Sequence, residues 1–373
     1  MRELAARIEA RTPPERDRAL DALRALAIAG VVAGHWLVTA LVTDSGAVRV
    51  TSPLTFMPQL APASWLLQTL ALFFLVGGAV ATRSHLRARA EGLSYGRWLA
   101  ARTARLARPV AAVAAVWAVA AIAMLAGGAG TQTVRALVKL VWSPMWFLLV
   151  LVALSAATPL VARLHPGWPL AVVVCADLMR FCGGPQAGWV NVAAGWLVPY
   201  CLGAAWARGG LRGRASGWAL LLGGAAAAAA LVTWGGYPAA MVGVPGAPLS
   251  NLDPPSLAAV AWGLAQSGAA LLLAGPLRRL LRRPAAWAAV ALVNLSALTI
   301  FLWHQSAMIA VTAIGLLGGG RLPGLHTVPD GPGWVAARAA WLPVFAAALV
   351  ACCAAFGARQ RGRPGTKPTA GHG

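Results

Sequence analysis

Arg24 and His35 stand alone in an otherwise apolar run, "RALAIAGVVAGH", with ten residues between them. A helix turns about 100° per residue, so eleven steps bring His35 back to within about 20° of the face that carries Arg24. Both side chains then look at one neighbour, separated along the axis by about 16 Å. With the arginine at a membrane edge the histidine falls near mid-bilayer, where ionisable groups are costly and mark functional sites. A guanidinium suits an anion, and an imidazole, which titrates near neutrality, suits the movement of a proton.

Other polar residues interrupt apolar runs. His304 sits in "TIFLWHQ" beside Trp303. Asp177 and Arg180 are three apart, the spacing of a structural ion pair on one helix face. Asn294 and Gln305 are eleven apart and share a face on which interhelical hydrogen bonding is expected. Just before Pro109 comes a comb of Arg97, Arg102, Arg105 and Arg108, which can hold phosphate groups at headgroup level or simply follow the cytoplasmic bias of basic residues. Taken together, these residues fit an extended nucleotide-linked acyl thioester. Its phosphates would lie at the arginines and its flexible arm would reach about 16 Å inward, to a histidine that takes the proton from an acceptor hydroxyl.

The elements that must position them are membrane helices. Of the 373 residues 59% are apolar and 11% charged, against roughly 25% charged in an ordinary soluble domain. Ten spans are expected, at 22–43, 64–82, 109–127, 144–162, 169–181, 188–207, 217–234, 257–275, 289–312 and 334–356, the fifth being short. The chain is thus expected to be an all-α integral membrane protein of about ten transmembrane helices. Its domain organisation reads as a segment at 1–18, a transmembrane domain at 19–356 and a basic tail at 357–373. Most of the 31 Lys and Arg residues fall in alternate loops, which predicts that both termini are cytoplasmic. Arg49, Arg135, Lys139, Arg321 and Arg338 are placed at the outer face. The net charge of +21 is spread over several loops without aromatic interleaving, so it speaks for anionic lipid and against nucleic acid. The five cysteines lie in or beside apolar spans without metal-like pairing, and no metal site is expected.

The order and spacing of several strings resemble the acyltransferase 3 family of integral membrane acyltransferases, and within it an actinobacterial branch. They are the Arg24 and His35 pair, "FFLVGG" at 73–78, "SYGRWLAARTARLARP", "MWFLLVLVALSAATPL", "TIFLWHQ" and the outer-loop string "YPAAMVGVPGAPLSNLDPPS" at 237–256. The resemblance implies a ten-span protein of the plasma membrane with no bound cofactor, using acyl-CoA as cosubstrate from the cytoplasm. It further implies O-acylation, by an acetyl or other short acyl group, of a carbohydrate-containing or other small hydroxylated acceptor. Carried over, the family's essential pair falls on Arg24 and His35, its donor-binding motif on Arg102 and Arg105, and its Trp-Phe-Leu element on Trp146. His304 is expected to join His35 in catalysis, orienting the acceptor or assisting the leaving thiol, with Trp146 and Asn294 as further pocket candidates. Most of the wider family has Ser-Gly after the Phe-Phe pair, where this chain has Gly77 and Gly78, so no serine nucleophile is available there. The alternative is a multi-span transporter or flippase for a glycan, lipid-linked or small-molecule substrate. Inverted repeats with matching interrupted spans would favour it, and neither is clear in the sequence.

Overall fold

In a computed structural model the described residues are 2–44, 47–211 and 213–357. Apart from its Gly357, the tail expected at 357–373 lies outside them.

A short helix α1 (Arg2–Ala10) precedes α2 (Arg18–Val38), whose first turn is capped by Asp17 accepting from the Ala19 amide. Helix α2 stops at Val38, short of the expected 43, because the β-branched stretch that follows pairs as an antiparallel hairpin. The hairpin strands are β1 (Ala40–Asp44) and β2 (Ala47–Thr51), and the short helix α3 (Pro53–Phe56) comes next. The second crossing is broken into α4 (Ala63–Leu67) and α5 (Leu70–Ala90), and the third is α6 (Tyr95–Ala126). The fourth runs through α7 (Thr131–Trp142), a 3₁₀ turn at Ser143–Met145, α8 (Trp146–Ala156) and α9 (Thr158–Val161).

Helix α10 (Gly167–Phe181) is the short fifth element, followed by α11 (Asn191–Ala207), α12 (Arg214–Trp234) and α13 (Leu257–Leu280). The last crossings are α14 (Pro284–Leu295) with α15 (Ala297–Leu317), and α16 (Pro332–Gly357). Among the described residues nine helical stretches are long and apolar enough to cross a membrane, and the chain is a multi-pass, all-α membrane protein with one small hairpin. The fifth expected span, α10, is not among the nine and has only 15 residues. It still joins the two ends of the bundle. It starts beyond α8, whose last residue Ala156 accepts a hydrogen bond from Tyr95 at the start of α6. Near its other end, Asp177 binds the first residues of α11 and α13.

One end of the bundle is ionic. Arg83 and Arg278 both reach Asp17, at 2.9 and 3.2 Å, and Arg18 donates to the Leu281 carbonyl at 2.8 Å. Phe356, at the end of α16, stacks on Trp303 with centroids 3.9 Å apart, and Gly357 approaches Thr299. Since Arg338 places the start of α16 at the C-terminal end of α2, α16 runs back from there towards the end where α2 begins.

Glycines set the tightest packing. A Cβ at Gly78 would collide with the Tyr200 carbonyl and one at Gly203 with the Leu75 carbonyl, so α5 and α11 touch backbone to backbone. Gly78 stands in the "FFLVGG" string for this steric reason. The core centres on Phe74, Phe147, Trp196, Phe301 and Phe345.

Candidate functional site

Helix α2 delivers His35 four residues before Thr39, and α15 delivers His304 against it, the ring centroids being 5.0 Å apart. His304 is 1% exposed. Its Nδ1 lies 2.6 Å from the Phe301 carbonyl oxygen, which can only accept, so Nδ1 carries the proton. Nε2 is left bare and buried, without a partner among the described residues. The adjacent Gln305 places its amide nitrogen 3.1 Å from His35 Nδ1. That amide can serve either tautomer: its NH₂ donates to a bare Nδ1 and, turned over, its oxygen accepts from Nδ1–H and frees Nε2. Trp36 Nε1 donates to the His304 carbonyl at 2.9 Å, locking the two helices in register at the histidines.

His35 lines a cavity of about 560 Å³ together with Gln68, Thr69, Ser143, Trp146 and Phe301. The cavity extends past Thr39 and Ser52 to Asp253, towards the end opposite Arg24. Its wall is built from broken helix. The α4–α5 break frees carbonyls that side chains recapture, with Trp262 Nε1 donating to Trp65 O at 2.9 Å and Gln266 Nε2 to Gln68 O. Thr69 Oγ1 bridges to the Ala27 carbonyl of α2 at 2.7 Å. Irregular backbone at membrane depth persists where protein covers it, as Trp262 and Gln266 cover this break.

The arginines form a second cluster, about 16 Å from His35 along α2. Arg24 and Arg105 lie close enough to Arg102 to repel it, and the Arg102 guanidinium sits 5.9 Å over the Trp98 ring. Among the described residues none of the three is in an ion pair, whereas Arg16, Arg18, Arg83 and Arg278 all have carboxylate partners. Asp21, one turn before Arg24, is the nearest carboxylate and is ion-paired with Arg16, so the three like charges keep an excess that suits an anion. Arg97, Arg105 and Arg108 are exposed, whereas Arg24 and Arg102 are half-buried.

Several sequence expectations land elsewhere. His304 does not line the cavity; it stands behind His35. Asn294 is also outside the cavity, its amide tying α14 to α2 by donating to the Asp21 carbonyl at 2.8 Å. A break at Ser296 separates Asn294 from Gln305, so no continuous helix face carries both. Asp177 does not pair with Arg180. It accepts from Asn191 at 2.8 Å, Tyr237 at 2.8 Å and the Leu257 amide at 2.6 Å, and three neutral donors satisfy a buried carboxylate. Trp146 does line the cavity, with its ring 6.1 Å from Trp196.

Arg338 was expected at the outer face, and it is 1% exposed. Its guanidinium donates to Trp36 O at 2.7 Å, Thr39 O at 2.7 Å, Gly324 O at 2.9 Å and Met308 Sδ at 2.9 Å. The Phe345 ring lies 4.7 Å away. It thereby caps the C-terminal carbonyls of α2, where the helix dipole favours a cation, one residue from His35. A lone arginine several residues inside an apolar run was the signal in the sequence, but its partners are carbonyls, which no spacing rule reveals.

This is a polytopic helical membrane protein with a histidine pair at the base of a largely apolar cavity that carries a few polar groups, and an arginine cluster without ion pairs at the other end. The acyltransferase 3 family model, described as an acyltransferase domain, matches residues 17–357, and the chain belongs to that family as a membrane acyltransferase. No curated protein and no solved structure matches the chain.

Proposed function

We propose that the protein is an acyl-CoA-dependent O-acyltransferase of the plasma membrane. It transfers an acetyl or other short acyl group to a hydroxyl of a carbohydrate-containing or other small acceptor. The observation that carries this reading is the placement of His35 between two unlike sites, an arginine cluster without ion pairs towards one end and a cavity towards the other. Arg24, Arg102 and Arg105 hold the donor phosphates, and the pantetheine arm runs along α2 to bring the thioester to His35. The acceptor occupies the cavity.

His35 takes the hydroxyl proton as that oxygen attacks the thioester carbonyl, and the tetrahedral intermediate expels the thiolate, which recovers the proton from the imidazolium. The ester leaves through the cavity and free CoA by the arginines. No covalent acyl-enzyme is needed, in keeping with Gly77 and Gly78 where a serine would stand. Gln305 and His304 act on His35, not on substrate.

The test is thermal stabilisation of the purified protein by acetyl-CoA and longer acyl-CoAs. Stabilisation is expected to be lost in Arg24→Ala and kept in His35→Ala. Absence of stabilisation in folded wild type by every acyl-CoA would overturn the donor assignment.

A further inference from the structure

The cavity wall farthest from Arg24 is the loop at 237–256, which contributes Val242, Gly243, Leu252, Asp253 and Pro255. This loop has almost no regular structure, yet buried polar groups fix it. Asn251, 0% exposed, donates to Pro238 O at 2.8 Å and Ala240 O at 3.0 Å, and its Oδ1 accepts from Ser256 at 2.6 Å. Tyr237 is anchored on Asp177, and the Met241 amide donates to Ser64 Oγ at 2.9 Å. A rigid loop therefore holds Asp253 at the mouth. Among the described residues Asp253 supplies the cavity's one carboxylate, and no Lys or Arg lines it. The Asp253 side chain is exposed and makes no hydrogen bond or ion pair among the described residues.

The surrounding charges do not cancel it. Asp177 is buried with its own donors. Arg180 is the nearest cation, its side chain and Pro254 both lying beside Gly188, but it neither lines the cavity nor forms an ion pair with Asp253 among the described residues. Arg49 and Arg321 line a separate cleft with Asp330. A single charge at the mouth of a low-dielectric cleft focuses its field along the cleft.

We propose that Asp253 sets the charge selectivity of this cavity, admitting neutral and amine-bearing hydroxylated acceptors and turning away acceptors that carry a phosphate or carboxylate beside the reacting hydroxyl. The proposal rests on the acyltransferase reading for the word acceptor, but the selectivity itself is measurable without turnover.

Ser143→Cys and, independently, Val242→Cys each place a thiol on the cavity wall. Each full-length protein is treated with a cationic trimethylammonium-ethyl methanethiosulfonate and an anionic sulfonatoethyl methanethiosulfonate. Modification is followed by mass at the labelled peptide, which separates it from the native cysteines. Relative to a free thiol, the cationic reagent is expected to react faster by about fivefold to tenfold, and Asp253→Asn should remove most of that preference. An unchanged ratio in Asp253→Asn, or no reaction with either reagent at both positions, would overturn the proposal. Loss of acyl-CoA stabilisation with the charge ratio intact would instead count against the acyltransferase reading alone.

Discussion

At the scale of single residues, His35 and His304 divide the work by exposure and partners. His35 faces the cavity and has an adaptable amide at its back, whereas His304 is sealed in with its tautomer set by the Phe301 carbonyl. Removing a general base typically costs about 10²–10⁴ in rate, so His35→Ala should lower kcat by that range while leaving donor affinity unchanged. His304→Gln should lower kcat by roughly tenfold with acceptor KM unchanged, because the ring touches His35 and not the acceptor. A raised acceptor KM in that variant would return His304 to the substrate-contacting role that its sequence context suggested. Arg24 and His35 were legible as a pair because helix geometry is local. The bond from Gln305 to His35 was not, since it joins residues on different helices.

At the scale of elements, α2 is the part that must not move, and it is held at both ends. Asp17 caps its start, and Arg338 collects the carbonyls of Trp36 and Thr39 at its finish. Arg338→Met leaves those carbonyls and that of Gly324 buried without their donor, a loss of roughly 1–3 kcal/mol for each group left unsatisfied. Its melting temperature and kcat should fall together, and Arg338→Lys, which keeps the charge but not the planar fork, should recover part of both. Equal damage from Lys and Met would show that the fork geometry alone matters. The helices themselves were visible as apolar runs, but their interruptions at 68–69, 143–145 and 296 were not. A break costs backbone hydrogen bonds that only neighbours such as Trp262 and Gln266 can replace, and neighbours belong to the tertiary structure.

At the scale of the whole molecule, the ionic end is tied together by Asp17. Burial alone would raise its carboxyl, but hydrogen bonds and charge from Arg278 and Arg83 outweigh burial and hold it below the ordinary aspartate range. A depressed folded value means that the stabilisation is present above the ordinary range and is lost as pH falls through the folded value. The melting-temperature gap between wild type and Asp17→Asn should therefore be constant from about pH 7 to about pH 5 and close below about pH 4. A gap independent of pH would mean that the Asp17 ion pairs contribute nothing to stability.

The sequence by itself determined the class of the molecule, most of its membrane-length helices and the placement of Arg24 and His35 on one helix. Each follows from hydropathy, charge bias or helical period, properties that act over a few turns of chain. Only the tertiary structure decided that His304 backs His35 without lining the cavity, that Asp177 takes three neutral donors in place of Arg180, and that Arg338 is buried as the cap of α2. Those outcomes depend on which carbonyls and amides distant segments present to a buried polar group. In a low-dielectric interior each such group takes whichever partners the packing supplies.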